Sequence, residues 1–309
     1  MKSPLSDPIT ELRRLIAAEL PCSREEAASS GVFIAETLGF CFGVKRALEM
    51  AIEAIETDSP VFTLGPIIHN PQVVDLMRAA GIIPVEDVEE IEHGTVVIRS
   101  HGATRSVLER AAAKGLRIVD ATCPFVERTH KLAVSLIDEG YQLVIVGERS
   151  HPEVEALLGQ VDHRAVVIGS PGDSDPKGLS QKVGIVQQTT QPIGNLCRIT
   201  SKLLPDIKEM KIHNTICTAT NERQKAALSL AKQVDLMYIV GGKNSANTTN
   251  LYLLCRAGLI NTYHIETASE LHSEDITAAE RVGVTAGAST PDWIIRDVVK
   301  QILEWRQTT

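Results

Sequence analysis

Residues 120–153, DATCPFVERTHKLAVSLIDEGYQLVIVGERSHPE, contain the pattern from which the fold can be predicted. Cys123 precedes a helical pattern, a short apolar strand follows at 143–146, and His151 comes just past the end of that strand. Pro152 then takes a position that is favoured in the first turn of a helix. The stretch predicts alternating strands and helices with a cysteine in one loop and a histidine in the next.

The same arrangement occurs twice more along the chain. Cys41 and Cys217 lie in similar settings, and the residue 28 positions after each of the three cysteines is His69, His151 or Ser245. Each of these three residues follows a predicted strand, at 61–64, 143–146 and 236–240 respectively. Equal spacing of this kind indicates an internal threefold repeat.

Each repeat also contains a third polar loop, which follows another predicted buried strand. The strands lie at 96–99, 182–186 and 282–285, and the loops are SHGAT (100–104), QQTT (187–190) and AGAST (286–290). Residues 45–54 and 222–232 have helical periodicity. Alternating strands and helices predict an α/β protein with mainly parallel sheets.

We therefore expect three similar small α/β domains in a pseudo-threefold, trefoil-like arrangement around a central cavity. The predicted boundaries are an N-terminal extension at 1–30 and repeats at 31–123, 124–215 and 216–309. Ligands of parallel α/β sheets bind beyond the carboxyl ends of the strands. This rule predicts that the three cysteines, the three His/Ser loops and the three small-residue loops meet at one centre.

The composition is that of an ordinary folded protein. Of 309 residues, 43% are hydrophobic and 23% are charged, which excludes wholesale disorder. The formal net charge of −8 argues against nucleic acid as the main partner. No apolar run approaches the ~20 residues that a membrane-spanning helix needs, so no membrane partner is expected.

The N-terminal segment predicts a short amphipathic helix packed on the main body. Its apolar residues recur at helical spacing: Ile9, Leu12, Leu15, Ile16 and Leu20. Charged residues interrupt any signal-peptide core. We therefore expect a cytoplasmic protein whose six cysteines are reduced.

Three thiolates from three repeats favour a soft metal centre. Structural zinc would want four protein ligands, whereas a [4Fe–4S] cluster with three leaves one iron free to bind a substrate oxygen. Cys22, Cys197 and Cys255 lack the shared context and are expected to be ordinary core cysteines.

The polar loops predict an anion site. Compact hydrogen-bond donors stand beside small residues there, where loops open onto helix N-termini: His69, His101, Ser245, Asn247 and Ser289.

Glu153 is the candidate acid because it lies in the first turn of a predicted helix, two residues after His151. Glu155 competes for the role but points to another helix face. Thr189 and Thr190 are candidates to relay a proton or to orient the acid.

The chain resembles the 4-hydroxy-3-methylbut-2-enyl diphosphate reductases, iron–sulfur enzymes that end the methylerythritol phosphate route to isoprenoids. The resemblance runs from Gly39 to Asp292 in the family's order, through GFCFGV, GPIIHN, SHGAT, DATCP, SHPEV, QQTT, TICTAT, KNSAN and TAGASTP.

The resemblance implies a monomeric oxidoreductase with a [4Fe–4S] cluster on Cys41, Cys123 and Cys217, whose unique iron binds the substrate hydroxyl. It implies catalytic roles for Glu153 as proton donor, helped by Thr189, and for His151. It assigns the diphosphate to donors in several loops: His69, His101, His151, Thr220, Ser245, Asn247 and Ser289.

The implied reaction removes the hydroxyl as water with two electrons. Protonation of an allylic intermediate then gives isopentenyl diphosphate and dimethylallyl diphosphate. The expected electron donor is a ferredoxin- or flavodoxin-like protein.

One residue departs from the pattern of the family. Many family members have Ser-Ser-Asn where this chain has Ser245-Ala246-Asn247, so we expect weaker substrate binding or an altered contact, with the reaction retained.

The residues also leave other functions open. A non-catalytic iron–sulfur sensor of a phosphorylated metabolite would explain the cysteines and the anion loops equally well. A zinc hydrolase is a third interpretation.

Overall fold

The structure is a computed structural model, and it describes residues 8–16, 23–169, 178–259 and 261–307. Leu20 and Cys22, which the sequence analysis considered, lie outside these residues. Within the described ranges, no helix combines the length and apolar character that crossing a membrane requires.

Twelve short strands form the framework of the described chain. In chain order they are β1 (Val32–Ile34), β2 (Val61–Leu64), β3 (Ile82–Val85), β4 (Thr95–Ile98), β5 (Arg117–Asp120), β6 (Gln142–Val146), β7 (Ala165–Ile168), β8 (Lys182–Gln187), β9 (Glu209–Ile212), β10 (Leu236–Val240), β11 (Thr262–Ile265) and β12 (Val282–Ala286).

Twelve α-helices alternate with them. They are α1 (Pro8–Ile16), α2 (Arg24–Ser29), α3 (Phe42–Thr57), α4 (Pro71–Ala79), α5 (Arg105–Ala113), α6 (Pro124–Asp138), α7 (Pro152–Gln160), α8 (Ile193–Leu203), α9 (Thr218–Ala231), α10 (Ala246–Arg256), α11 (Ser273–Ala278) and α12 (Asp292–Gln307).

The strands form three four-stranded sheets with the same order. Sheet A is β11-β10-β12-β1, sheet B is β3-β2-β4-β5 and sheet C is β7-β6-β8-β9. All the strand pairs described are parallel. The predicted fold class, three small α/β assemblies with parallel sheets, is confirmed.

In each sheet the strand that leads to a cysteine is the edge strand. β5 precedes Cys123 and β9 precedes Cys217, and each lies in the sheet of the strands before it in the chain. β1 precedes Cys41 but pairs with β12, through Val32 opposite Val282 and the Ala35 amide donating to the Val284 carbonyl at 3.0 Å. β1 thus pairs with β12, which would otherwise be an open edge of sheet A.

The pairing of β1 bears on the division of the chain. Sheets B and C lie within the predicted repeats 31–123 and 124–215, whereas sheet A adds β1 to the strands of 216–309. Sequence spacing could not show this, since a strand of three residues does not specify its partner. The repeat boundaries themselves stay a prediction.

By their contacts the residues group into two compact units. The first comprises Met1–Lys45, Ile68–Ala80 and Thr218–Thr309, and it contains sheet A. The second comprises Arg46–Ile67 and Gly81–Cys217, and it contains sheets B and C.

Both faces of the sheets are buried, which explains the continuous apolar runs in the strands. In sheet C, Leu143 and Ile145 pack with Leu136 of α6, whereas Val144 and Ile185 face the opposite core with α8. In sheet A, Met237 and Ile239 join the core formed with α9 and α10. The helices on these faces fix where each strand ends and therefore where each loop begins.

The predicted helices and strands are observed with small shifts at their ends. β2 and β10 match the predicted ranges, and α3 and α9 contain most of the residues with helical periodicity. The N-terminal helix is α1, in which Leu12 and Ile16 are buried and which packs against α4 and α12.

Burial of β6 predicts a specific loss of stability. Leu143→Ala should lower the free energy of unfolding by about 2–5 kcal/mol, because it removes buried methyl groups and leaves a cavity. Urea unfolding measures this loss. Leu204→Ala is the matched control in the same unit, since Leu204 is 57% exposed and its truncation should change the free energy by less than about 0.5 kcal/mol. Equal losses in the two variants would contradict this account of the core.

Candidate active site

The three repeat cysteines share one local geometry. The amide of Cys41 donates to the Ala288 carbonyl at 3.1 Å, that of Cys123 to Ser100 at 3.0 Å, and that of Cys217 to Thr189 at 3.1 Å. Each acceptor belongs to the third polar loop of the same sheet. A single backbone bond, repeated three times, therefore holds a cysteine loop against a polar loop at the carboxyl edge of a parallel sheet.

Each of these cysteines also stands at the start of a helix. Cys41, Cys123 and Cys217 immediately precede α3, α6 and α9 and are partly exposed. The Val44 amide of α3 points at the Cys41 sulfur, with 3.4 Å between N and Sγ. The N-terminus of a helix carries a partial positive charge, which suits a negatively charged ligand group.

The other two described cysteines have different surroundings. Cys255 is fully buried within α10, and burial raises the pKa of its thiol to about 12. Cys197 is exposed on α8. The prediction of an ordinary core cysteine is confirmed for Cys255 and is wrong for Cys197, whose side chain is exposed.

In the first unit, predicted anion-site residues form one hydrogen-bonded network. The Ser289 hydroxyl lies 3.3 Å from Ser245 Oγ and 3.4 Å from the His69 carbonyl oxygen, and its single proton is shared between these two acceptors. Asn247 accepts from the Ala288 amide at 2.9 Å and donates to Thr220 Oγ1 at 3.4 Å.

The surroundings of this network suit a compact anion. Ser245 is the N-cap of α10, so the network lies at a helix N-terminus. Two glycines let the backbone approach closely, because a Cβ at Gly242 would lie 2.6 Å from the His69 carbonyl oxygen and one at Gly287 would lie 2.0 Å from Thr248 Oγ1.

The second unit contains the remaining predicted site residues. They are His101, Cys123, His151, Glu153, Thr189 and Cys217. The rings of His101 and His151 meet edge to face, with centroids 5.5 Å apart. His151 is the N-cap of α7, and its Nδ1 accepts from the Glu153 amide at 3.2 Å, which requires an unprotonated Nδ1.

Glu153 is buried, at 3% exposure, and both its carboxyl oxygens bind one residue. The Thr189 amide donates to Oε1 at 2.6 Å and the Thr189 hydroxyl to Oε2 at 2.8 Å. Burial raises the pKa of Glu153 to about 7, and the two bonds from Thr189 only partly oppose this increase. Glu155 is exposed, so Glu153 is the carboxyl group suited to hold a proton near neutral pH.

One repeated feature was not predicted, although its spacing is visible in the sequence. A glycine follows each cysteine by 24 residues: Gly65, Gly147 and Gly241. Their amides donate to the last residue of the neighbouring strand, at 2.7, 3.0 and 2.8 Å, to Val85, Ile168 and Ile265. Each glycine ends its strand in the same way, four residues before His69, His151 or Ser245.

The repeats also differ in a detail that spacing did not indicate. His151 and Ser245 are the N-caps of their helices, but in the first repeat the N-cap of α4 is Asn70, whose side chain accepts from the Val73 amide at 3.0 Å. His69 therefore lies one residue before the cap.

Comparison with known proteins gives a consistent result. The family model described as LytB protein matches residues 32–303. The 4-hydroxy-3-methylbut-2-enyl diphosphate reductase of Geobacter sp. (strain M21) is 47% identical over 272 residues, which cover 88% of this chain and 96% of that protein.

Two solved structures are also similar to this chain. A structure of (E)-4-hydroxy-3-methyl-but-2-enyl diphosphate reductase, the terminal enzyme of the non-mevalonate pathway, is 45% identical with a TM-score of 0.67 and covers 88% of this chain and 99% of its own. The E-1-hydroxy-2-methyl-but-2-enyl-4-diphosphate reductase from Plasmodium falciparum is 26% identical with a TM-score of 0.83, covering 87% of this chain and 86% of its own.

The raised pKa of Glu153 predicts a pH-dependent difference in stability. The stabilisation by a protonated, buried Glu153 is complete below its ordinary pKa of 4.5 and is lost as pH rises through about 7. Glu153→Gln carries no such charge, so its advantage over the unaltered chain should grow by about 3 kcal/mol between pH 4 and pH 8. Urea unfolding at both pH values measures the difference. A constant difference would show that Glu153 titrates in the folded chain as it does in water.

Proposed function

The chain belongs to the LytB protein family, and we propose that it reduces 4-hydroxy-3-methylbut-2-enyl diphosphate to isopentenyl diphosphate and dimethylallyl diphosphate. The observation that carries the proposal is the buried Glu153, held by Thr189, whose carbonyl in turn accepts from the Cys217 amide. One threonine thus joins a proton donor to a cysteine loop. A sensor would need no such acid, and the relatives named above are reductases.

The reaction balances as a reductive dehydroxylation. The allylic C–O bond breaks, the hydroxyl leaves as water and a C–H bond forms, which consumes two electrons and two protons. The two products differ in the carbon that takes the new hydrogen. The protein therefore needs a source of electrons, a proton donor and a site for the diphosphate.

We propose a [4Fe–4S] cluster on Cys41, Cys123 and Cys217 as the source of electrons. The fit rests on three partly exposed cysteines in equivalent strand-to-helix loops, since cysteine sulfur is the usual protein ligand of such clusters. When bound, such a cluster supplies electrons and a Lewis-acidic iron with no protein ligand of its own. This role requires the pseudo-threefold arrangement that the repeat predicts.

The diphosphate is proposed to bind the polar loops of the two units. In the first unit these are the network residues His69, Thr220, Ser245, Asn247 and Ser289, and in the second they are His101 and His151. These side chains supply short hydrogen-bond donors, and the N-terminus of α10 adds a positive partial charge. Ala246 lacks the hydroxyl that many relatives place there, so this loop offers one donor fewer.

Glu153 is proposed to deliver the protons. Its pKa of about 7 keeps a large fraction protonated at neutral pH and lets the carboxylate take up a new proton after each turnover. Thr189 holds both oxygens, which fixes the direction of transfer, and His151 caps the same helix turn.

We further propose a ferredoxin- or flavodoxin-like electron donor, a cytoplasmic location and a monomeric protein. A low-potential one-electron carrier suits a cluster that must accept two electrons singly. The reduced thiols that the cluster needs suit the cytoplasm.

Glu153→Gln should lower the rate of substrate reduction at least about 100-fold, because it removes the proton donor and keeps the shape of the side chain. Anaerobic assay with reduced methyl viologen measures the rate, and iron content and diphosphate binding should stay normal. Glu155→Gln is the matched control on the same helix and should reduce substrate at the normal rate. A sensor would consume no reduced viologen in any variant, and normal turnover by Glu153→Gln would remove Glu153 from the role.

Serine replacements should divide the cysteines into two groups. Cys41→Ser, Cys123→Ser and Cys217→Ser should each lose most iron and sulfide after anaerobic reconstitution, because a hydroxyl is a poor ligand for the cluster. Cys197→Ser and Cys255→Ser should keep both. Iron and sulfide analysis with the visible spectrum measures the outcome, and zinc in place of iron would favour the hydrolase.

A further inference from the structure

A buried arginine contacts the loop that carries Cys41. Arg223 of α9 is 4% exposed, and its Nη2 donates to the carbonyl of Gly39, two residues before Cys41, at 2.7 Å. Its Nη1 donates to the Ala219 carbonyl in the first turn of α9 at 3.0 Å. The side chain thus joins the backbone at Gly39 to the backbone at Ala219, which is 180 residues later in the chain.

Asp292 encloses the same loop from another side. Gly39 has φ +76°, and a Cβ there would lie 2.3 Å from Asp292 Oδ1. Arg223 and Lys45 both attract the carboxylate and oppose the rise in the pKa of Asp292 that burial causes. The Cys41 amide donates to the carbonyl of Ala288, four residues before Asp292, so the chain that leads into α12 both binds this loop and packs against it.

A second arginine makes a similar contact in the second unit. Arg46 of α3 donates through Nη1 to the Thr122 carbonyl at 3.1 Å, and Thr122 immediately precedes Cys123. Arg46 follows Cys41 by five residues and Arg223 follows Cys217 by six. Each arginine therefore lies early in a helix that starts at one cysteine and binds a carbonyl beside another.

We propose that Arg223 and Arg46 are positioning residues that fix the Cys41 and Cys123 loops through guanidinium–carbonyl bonds. The inference deepens the proposed function, because fixed loops hold the thiols ready for an iron–sulfur cluster. The arginines contact carbonyl oxygens and are not ligands themselves.

The chemistry of arginine suits this position. A guanidinium group offers five donors in a rigid plane, so Arg223 can bind two carbonyls that diverge. A lysine ammonium is compact and does not reproduce this planar fork. Burying a cation costs free energy unless it has hydrogen-bond partners, and the carbonyls of Gly39 and Ala219 are such partners for Arg223.

The test measures the mobility of each loop separately. Cluster-free full-length chain is treated with a thiol-alkylating reagent, and mass spectrometry follows Cys41 and Cys123 in the same sample. Arg223→Gln should speed the alkylation of Cys41 about tenfold and leave Cys123 unchanged, as expected for the loss of a hydrogen bond from a charged donor. Arg46→Gln should do the reverse.

Holoprotein provides a second measurement. After anaerobic reconstitution, iron release to a chelator should be about tenfold faster in Arg223→Gln, and Arg223→Lys should fall between this variant and the unaltered chain. Arg306→Gln is the matched control in the first unit, because Arg306 also donates to backbone carbonyls, those of Ser30, Ile276, Ala279 and Glu280. It should lower the unfolding midpoint without changing Cys41 alkylation or iron release.

The outcomes separate this inference from the proposed function. If the unaltered chain binds no cluster, the proposed function fails, and the alkylation rates still decide the roles of the arginines. If it binds a cluster and Arg223→Gln alters neither Cys41 alkylation nor iron release, the positioning role is overturned. Equal acceleration at both cysteines would also overturn it, since that indicates general loosening. Should Arg223→Gln not fold, Arg223→Lys decides by the same two rates.

Discussion

The structure depends on a short backbone hydrogen bond that occurs three times, from the amide of a repeat cysteine to the carbonyl of a polar loop. In each sheet it joins the loop after the edge strand to the loop after the neighbouring strand, which are adjacent because the strands run parallel. Because of this bond, three cysteines that are distant in the sequence have the same local backbone geometry.

The two units differ in the kind of polar group that their candidate site residues provide. The anion network of the first unit is built from serine, threonine and asparagine side chains and a helix N-terminus, which are the groups that the proposed diphosphate site uses. The acid of the second unit is a carboxyl group removed from water and bound only by Thr189 among the described residues. Burial raises the pKa of Glu153 to about 7, so its carboxyl group stays protonated to a higher pH than it does in water.

Much of the fold could be predicted because its signals are local. Apolar runs bounded by small or polar residues predicted β2, β6 and β10 closely, and equal offsets from the cysteines predicted their common role. The pairing of β1 with β12 could not be predicted, because a strand of three residues has too little pattern to identify a partner about 250 residues away. The 24-residue spacing of Gly65, Gly147 and Gly241 was visible, and only its meaning required the strand ends.

For the site, the contact between Glu153 and Thr189 could be expected from the sequence, whereas that between Arg223 and Gly39 could not. Glu153 and Thr189 follow neighbouring strands of one sheet, whose carboxyl ends share an edge. Arg223 gave no signal: a charged residue in a predicted helix is usually solvated, and its acceptor is a backbone carbonyl, which any residue type presents. Only burial distinguishes it, because an arginine removed from water must find acceptors, and those it finds lie beside a cysteine.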